Sequence, residues 1–140
     1  MRIIKANLEY DDLRQVNLDG ANLRGTNLSF TNLNGTTLNM VSLVNAKLDG
    51  ADLTETVITK AYFTKTTLAG VNLFKANLYG TNLKDANLRS VELTSAILTG
   101  ANLIETNLTG AFMLNLELDF ADLTGAIFCN TVMPDGQRVI

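Results

Sequence analysis

Residues 71–90 read VNLFK, ANLYG, TNLKD, ANLRS. One five-residue phrase stands there four times: a small residue, Asn, Leu, then two variable residues. Centred on Leu, the register continues at every fifth residue from 8 through 128. Of those 25 positions 21 are Leu, and the exceptions, Ile58, Phe63, Met113 and Phe128, are all large and apolar. The register extends to Ile3 and Met133. A fixed repeat over a whole chain takes precedence over local propensity.

A period of five excludes the two common elements. It drifts around a 3.6-residue helical turn. In a flat strand an odd period would flip the apolar residue to the other face at each repeat. A chain that turns a corner every five residues can use it. Call the small residue position one, the Asn position two and the Leu position three. Positions one and three share a face of an extended segment, so each pentad points one small and one large side chain inward. From 6 to 131, position one is Ala twelve times, Thr eight times and Val four times, with Asp11 and Leu116 as outliers. Nine of the ten glycines (20, 25, 35, 50, 70, 80, 100, 110 and 125) fall at position five. That slot is therefore the expected corner, where positive φ or a tight turn suits glycine.

The units ANLRG (21–25), ADLTE (51–55), ANLYG (76–80), ANLIE (101–105) and ADLTG (121–125) resemble the A(D/N)Lxx units of the pentapeptide-repeat family, and the resemblance covers essentially the whole chain. It implies an all-β fold, a right-handed quadrilateral parallel β-helix with four pentads per coil. About six to seven coils are expected over residues 1–133, with 134–140 as a C-terminal turn and cap. At about 4.8 Å per coil the stack would be roughly 30 Å long.

Four pentads per coil put residues 20 apart above one another. One large column then reads Leu8, Leu28, Leu48, Leu68, Leu88, Leu108 and Phe128. The structural core is expected at Leu48, Leu68, Leu73, Leu78, Leu83, Leu88 and Phe63. Phe63 beside Ala61 reads as a volume-compensated swap. Burial of a Leu contributes roughly 1.5–3 kcal/mol, and each inward Thr must satisfy its hydroxyl on nearby backbone.

The pattern frays over 111–133. Apolar residues stand at outward slots, and Phe112 falls over Val132. Phe112, Leu114, Phe120 and Val132 are the expected interface, between two copies or end to end through the C-terminal coils or with another protein, since such patches usually mark contacts; the alternative is that the terminal residues cover them. Pro134, Asp135 and Gly136 signal a turn, after which Gln137–Ile140 would fold back across the last coil. Tyr10 over Phe30 would form a local cap near the N-terminus.

The remaining composition excludes more than it proposes. The chain has no His and one cysteine, Cys129. The usual general base, an internal disulfide and a Cys-based zinc cluster are therefore missing. No cofactor, metal or catalytic constellation is indicated, and the expectation is a non-enzyme. No apolar run approaches the ~18 residues of a membrane span, and the first residues, MRIIKANLEYDD, lack the apolar core of a signal peptide. The expected compartment is cytoplasmic, with no leader, no membrane contact and no direct nucleic-acid binding. The position-two Asn residues (7, 17, 22, 27, 32, 72, 77, 82, 87, 102 and 107) should hydrogen-bond local backbone, and could also form a ladder.

Net charge is −3 but uneven: +4 over residues 60–89 and −6 over 90–137, where no Lys or Arg occurs. The function expected is a repeat scaffold mediating protein–protein interaction, its partner unknown. The resemblance implies an alternative, because some pentapeptide-repeat proteins mimic B-DNA, bind DNA gyrase and protect it from quinolones. The basic belt and the absence of loops between pentads depart from that pattern.

Overall fold

The computed structural model describes residues 1–140. Every position-five residue from Lys5 to Asn130 has positive φ, and seventeen of them are not glycine. At most corners the position-one amide donates to the position-three carbonyl three residues back, as Ala21 does to Leu18 (3.0 Å) and Ala51 to Leu48 (2.9 Å). That bond, with positive φ at the third residue, is what a type II turn requires.

Between corners the chain is extended and bridges its neighbours through position two. Asn22 pairs in parallel with Arg2 and Ser42, and Asn27 with Asn7 and Lys47. Every partner in these ladders lies 20 residues away, so four pentads close one circuit around four faces. The first face carries the rungs from Arg2 to Asp122, the second those from Asn7 to Ile127 and the third those from Asp12 to Val132, seven rungs each. The fourth, from Asn17 to Glu117, has six. Inside the stack, up to three backbone bonds donated by a pentad join it to its neighbours. Around Leu28 they run from Leu28 N–H to the Lys47 carbonyl (2.7 Å), from Phe30 N–H to Asp49 (3.0 Å) and from Asn27 N–H to Ala6 (2.9 Å).

The inside of the circuit is the core. Leu48, Leu68, Leu73, Leu78, Leu83, Leu88, Phe63 and Ala61 are all buried to 1% exposure or less. The eight inward threonines are satisfied in two ways. Thr36, Thr56, Thr81 and Thr106 donate to the position-three carbonyl of their own corner, at 2.6–2.9 Å. Thr26, Thr31, Thr66 and Thr131 donate to the corresponding carbonyl one coil back, at 2.7–2.9 Å. A hydroxyl that is both buried and bonded avoids the penalty of an orphaned donor. Burial fades at both ends of the stack, where Ile3, Leu8 and Leu13, and then Leu118, Leu123, Phe128 and Met133, are only partly covered.

The chain leaves the circuit after Met133. Gly136 N–H donates to the Met133 carbonyl (2.8 Å) and Met133 N–H to Gln137 (2.7 Å). This turn folds β2 (Arg138–Val139) antiparallel onto β1 (Thr131–Val132), with Thr131 opposite Val139 and Val132 opposite Arg138. The last residues thus return along the third face alone. The repeat itself explains the exit. Twenty residues beyond Leu118 stands Arg138, and another circuit would carry its guanidinium inside, which an apolar core does not tolerate unpaired. Instead Arg138 Nη1 donates to the Asn130 side-chain oxygen (2.8 Å) and carbonyl (3.3 Å). No helix of the structure is long and apolar enough to cross a membrane.

Candidate interaction surface

With the interior committed to packing, anything the chain does chemically rests on positions two, four and five. Position two is largely occupied by a structural task. Each of its eleven Asn side chains accepts a hydrogen bond from the amide two residues on, at 2.9–3.3 Å. This is the Asx geometry that holds an extended residue against a turn. Asp12, Asp52 and Asp122 accept in the same way. An amide ladder along the rod occurs once, from Asn27 Nδ2 to Asn7 Oδ1 (3.1 Å).

No group of three or more acidic or cysteine side chains is placed to hold a metal ion. Asp12 receives two hydrogen bonds from the Arg14 guanidinium Nε and one from Nη2 (2.7 Å), and these hold its pKa below the usual carboxylate value. The same contact raises that of Arg14. With Gln15 and Asn34 they line a shallow depression of about 470 Å³ with no apolar wall. Asp122 is lowered by the Thr124 hydroxyl, which donates at 2.6 Å, and by the Thr124 amide. Cys129 is exposed and has no disulfide partner.

Exposed apolar side chains also occur singly, among them Met40, Tyr62, Tyr79 and Ile127, but three places matter for the expected contacts. Tyr10 stacks on Phe30 at one corner, centroids 5.2 Å apart and planes within 7°, both rings exposed. On the third face, Phe112 bridges Val132, and Leu114 stands two residues from Phe112. Phe112 is 45% and Leu114 41% exposed, Val132 is half-buried, and the Leu114 Cδ1 lies beneath the Gly136 turn. Phe120 stands apart from these three. It is the corner residue between the fourth and first faces, with φ 60 and 94% of its surface exposed. The four residues expected as one patch are therefore an apolar face plus a separate knob, because the fourth face intervenes.

The sequence pattern did not reveal a second role for the corner glycines. A side-chain carbon at Gly35 would overlap the Gln15 carboxamide, one at Gly50 the Phe30 ring, and one at Gly125 the Glu105 carboxylate. In these cases the corner side chain of one coil lies over the bare corner of the next. Comparing position-five residues 20 apart would have exposed the pairing.

A family model for pentapeptide repeats, in eight copies, matches residues 4–39, 41–73, 68–103 and 96–133. A pentapeptide repeat protein from the thylakoid lumen of Arabidopsis thaliana is 31% identical, over 80% of this chain and 71% of its own, with a TM-score of 0.53. A pentapeptide repeat protein from Nostoc Pcc 7120 is 33% identical over 54% of this chain and 62% of its own, with a TM-score of 0.53. Trypsin-treated QnrB1, a plasmid-mediated fluoroquinolone resistance protein, shares the fold at 20% identity, over 89% of this chain and 73% of its own, with a TM-score of 0.55. Among curated proteins none matches the chain. By its pentads, its four-sided ladder and these matches, the chain belongs to the pentapeptide repeat family.

Proposed function

We propose that this chain is a non-enzymatic repeat scaffold, a right-handed β-helix of between six and seven coils that binds another protein through its C-terminal coils. One observation carries the reading. Outward slots on the third face are polar over most of the rod, and then turn apolar at Phe112, Leu114 and Val132. Exposed apolar residues grouped in this way favour a partner that removes them from water. A second copy is tested first. Light scattering on wild type and Phe112→Asp distinguishes the cases: a doubled mass that reverts in the variant identifies a homodimer through this face. A single-chain mass in both directs the search to a foreign partner, retained by immobilised wild type and lost with Phe112→Asp. Equal retention by both proteins overturns the reading.

A second reading, a DNA mimic that binds gyrase, has one feature in its favour: six acidic residues and no cation over 90–137. The +4 belt over 60–89 interrupts the acidic track that mimicry requires. A gyrase supercoiling assay with quinolone decides it, and absence of inhibition or protection at micromolar protein excludes the mimic.

A further inference from the structure

We propose that the free strand edge at residues 116–120 is a docking site for an extended, basic segment of a partner protein, which adds to the fourth face as a seventh rung. This rests on the reading of the chain as a binding scaffold. It names the chemistry of the partner at a surface separate from Phe112 and Leu114.

The vacancy is made by the chain itself. On the rung below, Leu98 N–H donates to the Glu117 carbonyl (2.8 Å), Gly100 N–H donates to Asp119 (2.8 Å), and Glu117 N–H donates to Ala96 (3.1 Å). The next rung would bond Leu118 N–H, Phe120 N–H and the Leu116 carbonyl in the same way. None of the three has a backbone partner, because residues 136–140 turn back onto β1. Arg138 at the inward slot bars the tail from that place, and the Gln137 carbonyl is held by Met133 N–H. Leu118 beneath is only partly covered. Unpaired amides and carbonyls beside exposed core form the template for β-augmentation.

The repeat specifies what fits. An incoming parallel strand places a small residue over Leu116 and a large apolar one over Leu118. Its outward side chains fall over Glu117 and Asp119, about 4.8 Å away. Both acids are exposed, Asp122 lies just past the Phe120 corner, and no Lys or Arg occurs from 90 to 137. Opposite charges on adjacent strands attract and like charges repel, so the complementary segment reads small, basic, apolar, basic. A second copy fits poorly. Two such ends would oppose their own acids, and the fourth-face pentad at residues 16–20 would bring Asp19 over Asp119.

The test uses a ten-residue synthetic peptide containing Ala-Lys-Leu-Arg-Gly, with a control in which Glu replaces Lys and Arg. Amide hydrogen exchange and NMR shifts are read on the full chain. Protection of the Leu118 and Phe120 amides by the basic peptide, absent with the control, is expected. The double variant Glu117→Lys/Asp119→Lys should weaken the basic peptide roughly fivefold to tenfold, as two cross-strand pairs turn repulsive. It should also admit the acidic control, with an unchanged melting temperature showing that it folds. No protection at millimolar peptide, equal protection by both peptides, or a chain mass that doubles through this edge overturns the proposal. A peptide failure leaves the scaffold reading intact, since capture through Phe112 tests that separately.

Discussion

The ring of Phe30 occupies the space beside Gly50 where a side-chain carbon would overlap it. Gly70, one coil further along the same corner, has nothing within 4 Å of that point. The two glycines have nearly the same backbone, φ 69 and 65. Replacing both separates conformation from packing. Gly70→Ala should lose about 1 kcal/mol for a left-handed residue with a side chain. Gly50→Ala should lose that and more, because Phe30 and with it the stacked Tyr10 must move. Urea unfolding of the two variants measures the difference, and equal losses would show that the Phe30 contact contributes nothing.

The converse substitution should stabilise. Phe120 holds φ 60 while exposing 94% of its surface, so it bears the conformational strain without packing in return. Phe120→Gly is expected to gain roughly 0.5–1 kcal/mol, the left-handed penalty less the entropy of a flexible glycine. The readout is a higher melting temperature. An unchanged or lower one would mean that Phe120 makes a stabilising contact in solution.

Leu68 sits at 1% exposure in the column between Leu48 and Leu88. Leu68→Asp would bury a carboxylate with no cation in reach, and should abolish the cooperative melt. Leu68→Ala should remain folded, and lose about 2–5 kcal/mol to the cavity. Circular dichroism against temperature checks both. An Asp variant melting within a few degrees of wild type would contradict the inward column.

Asp122 offers a pH test. Its pKa is lowered first by the Thr124 hydroxyl, then by the Thr124 amide. A carboxylate whose folded pKa is depressed contributes stability above its unfolded pKa, and loses it as pH falls through the folded value. The contribution should therefore be constant at neutral pH and disappear in acid, below the usual carboxylate range. In Thr124→Val the Asp122 pKa, followed by NMR, should return toward its ordinary value. If it stays where it was, the hydroxyl is not the cause.

The inside of this protein is legible in its sequence because one constraint acts on it at every repeat. Leu73, Leu78 and Leu83 must fill the same space, and the period shows it. The eleven Asn residues are nearly as clear, since the amide they bind lies two residues away. Phe120 is harder to read. Its register marks it as outward, and only the circuit of four faces shows that it lies across the fourth face from Leu114. The seventeen left-handed residues with side chains are hidden by glycine, which marks nine of the corners and draws attention from the others. The exit at Met133 depends on Arg138, five residues further on, whose meaning appears only when the coil is followed one rung past its end.

The constant 20-residue bridge turns length into angle. Removing or inserting one pentad would keep every Leu inward yet rotate all later residues by roughly a quarter turn against the earlier ones, bringing Phe112 and Leu114 onto another side of the rod. A whole coil could be removed with no rotation, shortening the rod by about 4.8 Å. The fold therefore tolerates changes in units of five, while any surface assembled across several coils survives changes in units of twenty alone.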